Sequence, residues 1–386
     1  MKRIWLRAAG LAACMMMLTA GALAQDAMQI YVGDGALEEG TVARLMMLLE
    51  REFPQAEFEQ TQDGASLREL VLSDHAPQLA ICSPGEVLPW AEEGLILPLQ
   101  KRIDDQEDIA QEVLSVCVHE ENLFMAPLMA HHRQMAVNVK MLEKHGMGYM
   151  LDEVAHAVWY PTEFQQMLEE FAIADLPALD VWTTQESAAI EALIQAIYCG
   201  GLLGDDGETC KAESKAVLAG VRWLRDLVDG ELIGRQESRQ AALERFLAGE
   251  TVIFLDWTKE MQKKYAQRMK DAGMEIVTKP YPSSSGLPVR SYEVTGVSVL
   301  DSGDARKNAL ALEAAVFLHE DAQAQTVLGE RMIFEDGSIW LWDLAASGRG
   351  ATLRSLLHDA LERILDGEAE IDQALSVVKA GMDAAQ

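Results

Sequence analysis

Short apolar runs alternate with amphipathic stretches from Met28 onward, and this alternation restricts the fold more than any other feature of the chain. Met28-Gln29-Ile30-Tyr31-Val32 reads as a strand ended by Gly33-Asp34-Gly35. Val42, Leu45, Met46, Leu49 and Phe53 then recur at i, i+3, i+4, i+7 spacing, which is one face of a helix. Phe58 lies in the next extended run, Leu67, Leu70 and Val71 mark a second helix, and Gln78-Leu79-Ala80-Ile81-Cys82 is a third strand stopped by Ser83-Pro84. Strand–helix alternation of this kind predicts an α/β fold with a parallel sheet covered on both faces. Ligands in such sheets sit at the carboxyl ends of the strands. Asp34 and the Ser83–Glu86 turn, with Ser83 and Glu86 as its polar side chains, therefore fall at the mouth of a candidate site. Ordinary turn chemistry is the competing reading for each of them.

Farther along, Gly94-Leu95-Ile96-Leu97-Pro98-Leu99 closes this unit. The stretch from Ser115 to Val139 reads as extended segments broken at Glu120-Glu121-Asn122 and again at His131-His132-Arg133. Helical patterning dominates from Met141 to about Met274, with clear stripes at Phe164, Met167, Leu168, Phe171 and at Val217, Val221, Leu224, Val228. Strands return near Thr251–Leu255, Glu275–Val277 and Glu293–Leu300, and helices resume at Ala305. Pro280–Pro288, rich in Pro, Ser and Gly, is the most linker-like segment.

Upstream of the first strand, Lys2, Arg3 and Arg7 precede an apolar stretch from Ala8 to Leu23, and Ala22-Leu23-Ala24 is a small-x-small site. This predicts a signal peptide over residues 1–24 and an exported, periplasmic or cell-surface protein. Leu11-Ala12-Ala13-Cys14 resembles a lipobox, so a lipid anchor at Cys14 is the alternative; it would leave only about six apolar residues after Arg7, against the ~7–15 of an ordinary leader. Loss of the leader takes the formal charge from −30 to −33. Such an excess repels phosphate backbones and anionic lipid, which argues against nucleic acid as a partner. Hydrophobic residues make up 49% of the chain, enough for a real core. No apolar run long enough to span a bilayer follows the leader, so the residues alone offer membrane contact only through the Cys14 anchor. Beyond the leader, Cys199 and Cys210 flank a turn-rich Gly/Asp segment; a disulfide there would contribute about 2–3 kcal/mol. Cys82 and Cys117 lie in apolar runs and read as buried free thiols.

Six segments, in order, resemble the extracellular solute-binding proteins of ABC importers, the sugar-binding (family 1) type. They are Ala76–Ile81 with Trp90–Leu99; Ala126-Pro127-Leu128 with Val137–Gly146; Tyr160-Pro161-Thr162-Glu163-Phe164; Phe246–Phe254 with Asp256-Trp257; Ala305–Gln325; and Ala360–Gly367 with Ile371–Leu375. The chain departs from the pattern at Ala136-Val137, where an aromatic residue usually precedes Asn138, and its aromatic content is only 6%.

The resemblance implies a two-lobe periplasmic-binding-protein (Venus-flytrap) fold with crossing hinge strands. Lobe 1 is expected over 26–131 and 280–329, and lobe 2 over 134–279 and 333–386. It implies capture of a small solute, a sugar or oligosaccharide first, and delivery to ABC permease subunits, with no cofactor. Trp257 matches the family's ligand-stacking position, with a core indole as the other reading. Asp256 is set either to accept hydroxyl hydrogen bonds or to cap the following helix. Trp182 lies near the family's second-lobe aromatic position. His131 and His132 fall at the first crossing between lobes, where either faces the cleft, and His131 is carried as the candidate. They lack the spacing of a metal pair. The high acidity also suits a polyamine. A secreted hydrolase on the same fold and a ligand-presenting partner of a membrane sensor are the alternatives. The sequence carries no G-x-S-x-G, H-E-x-x-H or P-loop.

Overall fold

A computed structural model describes residues 27–385 apart from 34–35, 38, 62–66, 72, 74–75, 92, 100–102, 104–110, 185–187, 205–208, 329–337 and 343–347. The leader, Cys14 and Asp34 lie outside the described residues. The strands are β1 (Met28–Val32), β2 (Phe58–Gln60), β3 (Leu79–Cys82), β4 (Ile96–Leu97), β5 (Val118–His119), β6 (Asn122–Leu123), β7 (Ala126–Asn138), β8 (Asp180–Trp182), β9 (Gly234–Gln236), β10 (Ile253–Trp257), β11 (Ile276–Lys279), β12 (Val289–Leu300) and β13 (Ile339–Trp342).

The amino-terminal alternation folds as its pattern predicts. β1 lies between β2 and β3, parallel to both, with Met28 opposite Phe58 and Ile30 opposite Leu79. Between β1 and β2 runs the helix Glu39–Glu52, whose Leu45 and Leu49 are buried under the sheet. All four residues of β3 are buried, as a strand covered on both faces requires.

Two long strands carry the chain between two separate cores. The first half of β7 pairs antiparallel with β12, from Ala126 opposite Val297 to His131 opposite Glu293. Its second half pairs with β10, Gln134 opposite Trp257, and with β11, Asn138 opposite Ile276. The sequence places a break at His131-His132-Arg133, whereas the strand runs through these residues without interruption. Their polarity marks a half-buried stretch between the cores rather than a turn, and backbone pairing continues from β12 to β10 across it. Where the β7–β12 register shifts, at Gly296, a Cβ would stand 2.3 Å from Met125 Cγ and 2.8 Å from the Ala126 carbonyl oxygen, so only glycine permits this approach.

One core gathers Ile30, Leu45, Leu79, Val297 and Leu318; the other gathers Val137, Phe164, Leu193, Phe254, Leu361 and Leu375. The division along the returning strand falls between Val289, in the second core, and Tyr292, in the first. Tyr281, inside the linker-like segment, is fully buried and donates a hydrogen bond to the Leu255 carbonyl oxygen. The predicted helical stripe Phe164, Met167, Leu168, Phe171 is buried along the helix Pro161–Ile173. β8 and β9, three residues each, interrupt the stretch that reads as helical; alternation cannot show in runs so short.

The expected Cys199–Cys210 bridge is absent: both thiols are free. Cys199 adopts a left-handed conformation (φ 55°) at the end of the helix Ala189–Tyr198, which turns its Sγ toward Ser283 and Ser284. Cys210 instead pairs across the turn with Leu203. Cys82 and Cys117 are buried free thiols.

Candidate functional site

Strand register brings the two lobes' candidate residues to the same few positions of the crossing pair. β3 ends opposite Gly296, so the Ser83–Glu86 turn emerges beside the Glu293 end of the β7–β12 ladder. β10 ends opposite Gln134, so Asp256, Trp257 and the helix Lys259–Lys264 emerge a few residues away on the other side. The helix Pro84–Val87 of the first lobe also touches the helix Gly348–Leu365 of the second. Residues 131–134 and 290–293 thus lie where elements of both lobes meet.

On the first lobe, Ser83 and Glu86 form a closed local pair. Glu86 Oε2 accepts from the Ser83 amide and hydroxyl, both at 3.0 Å, which is a capping box on the short helix behind Pro84. Glu86 Oε1 accepts from the Tyr31 hydroxyl at 3.2 Å. Burial, with the Glu86 charge in addition, pushes the Tyr31 phenol up, so it stays a donor. Glu86 itself is exposed and keeps acceptor capacity.

The crossing strands carry a chain of ion pairs. His131 Nδ1 lies 3.2 Å from Glu260 Oε2. Burial alone would raise the Glu260 carboxyl; the hydrogen bond and charge of His131 outweigh it, and the carboxyl falls to about 2. Arg133 reaches Asp256 Oδ1 at 3.1 Å and also pairs with Glu293. Arg239 closes on the other Asp256 oxygen. Asp256 is fully buried, and burial again opposes its charge, yet the two guanidiniums hold its carboxyl below the usual range. Asp256 is therefore an anchor for arginines. Thr258, not Asp256, caps the following helix by accepting from the Met261 amide.

The two candidate indoles lie inside the second core. Trp257 is 1% exposed, within 5.9–6.3 Å of the Phe246, Phe254 and Tyr265 rings, and its Nε1 donates to Gln262 Oε1 at 3.0 Å. Trp182, also 1% exposed, stacks on Phe254 at 5.7 Å with an interplanar angle of 20°. Arg133, Arg239, Glu260, Glu293 and Tyr31 complete the site and carried no motif. Arg133 alone had a signal, its place beside the crossing histidines.

The second lobe also holds a buried charge cluster. Glu191 Oε1 accepts from Arg354 Nε at 2.6 Å and lies 3.2 Å from His358 Nε2, while His358 Nδ1 contacts the Thr183 carbonyl oxygen at 2.8 Å. It ties the segment after β8 to the helix Gly348–Leu365. Among the described residues no group of three His, Cys, Asp or Glu side chains is arranged to hold a metal ion, and no helix is long and apolar enough to cross a membrane.

No protein-family model and no curated protein sequence matches the chain. Solved structures do. An ABC substrate-binding protein of Listeria monocytogenes in complex with cycloalternan is 11% identical at a TM-score of 0.71, over 93% of this chain and 98% of that one. A receptor of Streptomyces glaucescens, solved unliganded and with acarbose, is 17% identical at 0.71, over 93% and 97%. A cyclic alpha-maltosyl-1,6-maltose binding protein of Arthrobacter globiformis is 15% identical at 0.73, over 92% and 98%. At these identities the likeness establishes the fold: two α/β lobes of the periplasmic-binding-protein type, joined by crossing strands.

Proposed function

We propose that this chain is an extracytoplasmic solute receptor that captures a carbohydrate by lobe closure and hands it, chemically unchanged, to an ABC permease. What supports the reading is that strand register carries polar side chains of both lobes to neighbouring positions of the crossing strands: Ser83 and Glu86 from the first lobe, and the His131–Glu260 and Arg133–Glu293 pairs beside the buried Asp256 anchor. Closure needs only a ligand that binds the closed state better than the open one. A sugar satisfies this cleft by donating hydroxyls to Glu86 and Glu260 and accepting from the arginines. With both indoles turned into the core, hydrogen bonds rather than ring stacking carry recognition. The saccharides in the matched structures, cycloalternan and cyclic alpha-maltosyl-1,6-maltose, favour the same ligand class.

Lobe 1 then comprises 26–131 and a second segment that starts at Tyr292 rather than at 280, because Tyr281 and Val289 pack in the second core and Tyr292 in the first; lobe 2 comprises 134–289 and 333–386. Export follows from the leader over residues 1–24. A thermal-shift screen of neutral oligosaccharides and polyamines, with mass spectrometry of the recovered ligand, tests the proposal. Stabilisation by an oligosaccharide recovered intact supports it. Turnover points to a hydrolase, and stabilisation by polyamines alone to a cation receptor; either result rejects it.

A further inference from the structure

Two side-chain ties cross from one lobe to the other where the long strands change partners. The β7–β12 ladder ends at His131 opposite Glu293, and the β7–β10 ladder begins at Gln134 opposite Trp257. His132 and Arg133 carry the strand from one pairing to the next, while Arg290 to Tyr292 of the returning strand pair with β13. Tyr292 and Val294 pack in the first core, and Leu255, Trp257 and Met261 in the second. Glu293 thus stands on lobe 1, and Asp256 and Glu260 stand on lobe 2. Arg133 reaches both sides: one guanidinium nitrogen lies 3.1 Å from Asp256 Oδ1 and the other pairs with Glu293. Its lobe-2 end is fixed, because Asp256 is fully buried and also holds Arg239. His131, at the lobe-1 end of the crossing, reaches Glu260 Oε2 of lobe 2 at 3.2 Å. His131 and Arg133 are two residues apart on one strand and share a face, with Glu293 opposite His131 on that face.

We propose that the Arg133–Glu293 and His131–Glu260 ties clasp the lobes in a single relative orientation in the absence of solute, and so set how readily they swing about the crossing strands. A pair confined to one lobe cannot bias lobe orientation, whereas a pair that spans the crossing must stretch when the lobes rotate apart. Arginine suits this place because its rigid fork serves two carboxylates at once, and here those carboxylates stand on different lobes. Arg133 and Glu293 are half-buried, where salt and water screen a pair less than at the open surface. The ties stabilise only the orientation in which they form, so losing them moves the population toward other orientations. The clasp follows from the two-lobe fold and not from the identity of the solute, and its test contains none.

Distance measurement between two spin labels, by double electron–electron resonance on the full chain, tests this. Labels at Met47→Cys on lobe 1 and Ile173→Cys on lobe 2, both exposed positions, read the orientation in a Cys199→Ser background. A second label pair, Ile173→Cys with Val377→Cys, lies within lobe 2 and reads whether that lobe keeps its fold. The expected result is one dominant inter-lobe distance with both ties intact. Glu293→Gln and Glu260→Gln should each raise the population at other distances roughly fivefold, and the double variant further, with the distance inside lobe 2 unchanged. Asp366→Asn, which breaks a pair with Arg235 inside lobe 2, should leave the inter-lobe distribution as it was. A broad distribution with both ties intact, a double variant indistinguishable from it, equal broadening by Asp366→Asn, or broadening matched by an altered distance inside lobe 2 overturns the proposal.

Discussion

Replacing Trp257 by alanine separates a core indole from a ligand platform. The side chain is 1% exposed and surrounded by Phe246, Phe254 and Tyr265. A buried tryptophan removes about 150–250 Å² from water. At about 25 cal/mol per Å² this is worth ~4–6 kcal/mol, an upper bound because the unfolded chain already hides part of that surface. The hydrogen bond to Gln262 adds about 1 kcal/mol. Packed neighbours cannot refill so large a space, so a loss of about 3–5 kcal/mol is expected. Urea unfolding followed by circular dichroism measures it, with an unchanged denaturant slope as the sign that only stability moved. A loss below about 1 kcal/mol together with abolished solute binding would refute the reasoning, because the indole would then have to face the cleft.

Asp256→Asn leaves Arg133 and Arg239 short of their shared carboxylate and should cost about 3–5 kcal/mol in the same urea assay; an unchanged midpoint would show that the pairs are not formed in solution. Glu260, depressed to about 2 in the folded protein, contributes stability that is present above the unfolded value near 4.3 and lost as pH falls toward 2. Wild type should therefore unfold at a higher temperature than Glu260→Gln at pH 6, by a small margin because the carboxylate is 38% exposed, and the two should converge near pH 2. Without denaturant, a thiol reagent should label Cys199 first and leave Cys82 and Cys117 untouched. Burial opposes the Cys199 thiolate, but hydrogen bonds from Ser283, Ser285 and Ser284 lower its pKa below the ordinary thiol value. Failure of any thiol to react before denaturation would instead indicate a Cys199 bridge.

What was legible in the sequence is what local chemistry writes there. β1 and β3 are apolar runs closed by Gly, Ser and Pro, and the helices behind them carry unambiguous stripes, so the α/β sheet could be read directly. His131-His132-Arg133 was harder, because three polar residues in a row look like a turn. Their partners, Glu260, Asp256 and Glu293, are more than a hundred residues away, and no spacing rule joins them. Trp257 shows a different limit. A strand end beside a cleft can aim its side chain outward or back into the lobe, and the choice rests with Phe246 and Tyr265, which only the fold brings near. Cys199 and Cys210 are close enough along the chain for a bridge, yet the left-handed turn after the helix sends one thiol to the Ser283–Ser285 segment.

The central claim is that solute binds between the lobes through side chains of both. Calorimetric titration of the best stabilising neutral oligosaccharide into wild type, Glu86→Ala and Glu260→Ala tests it most directly. The account predicts one saturable site, weakened roughly tenfold or more by each substitution, as expected when a hydrogen bond to a charged group is lost. Heat that does not saturate, or an affinity indifferent to both substitutions, would contradict it.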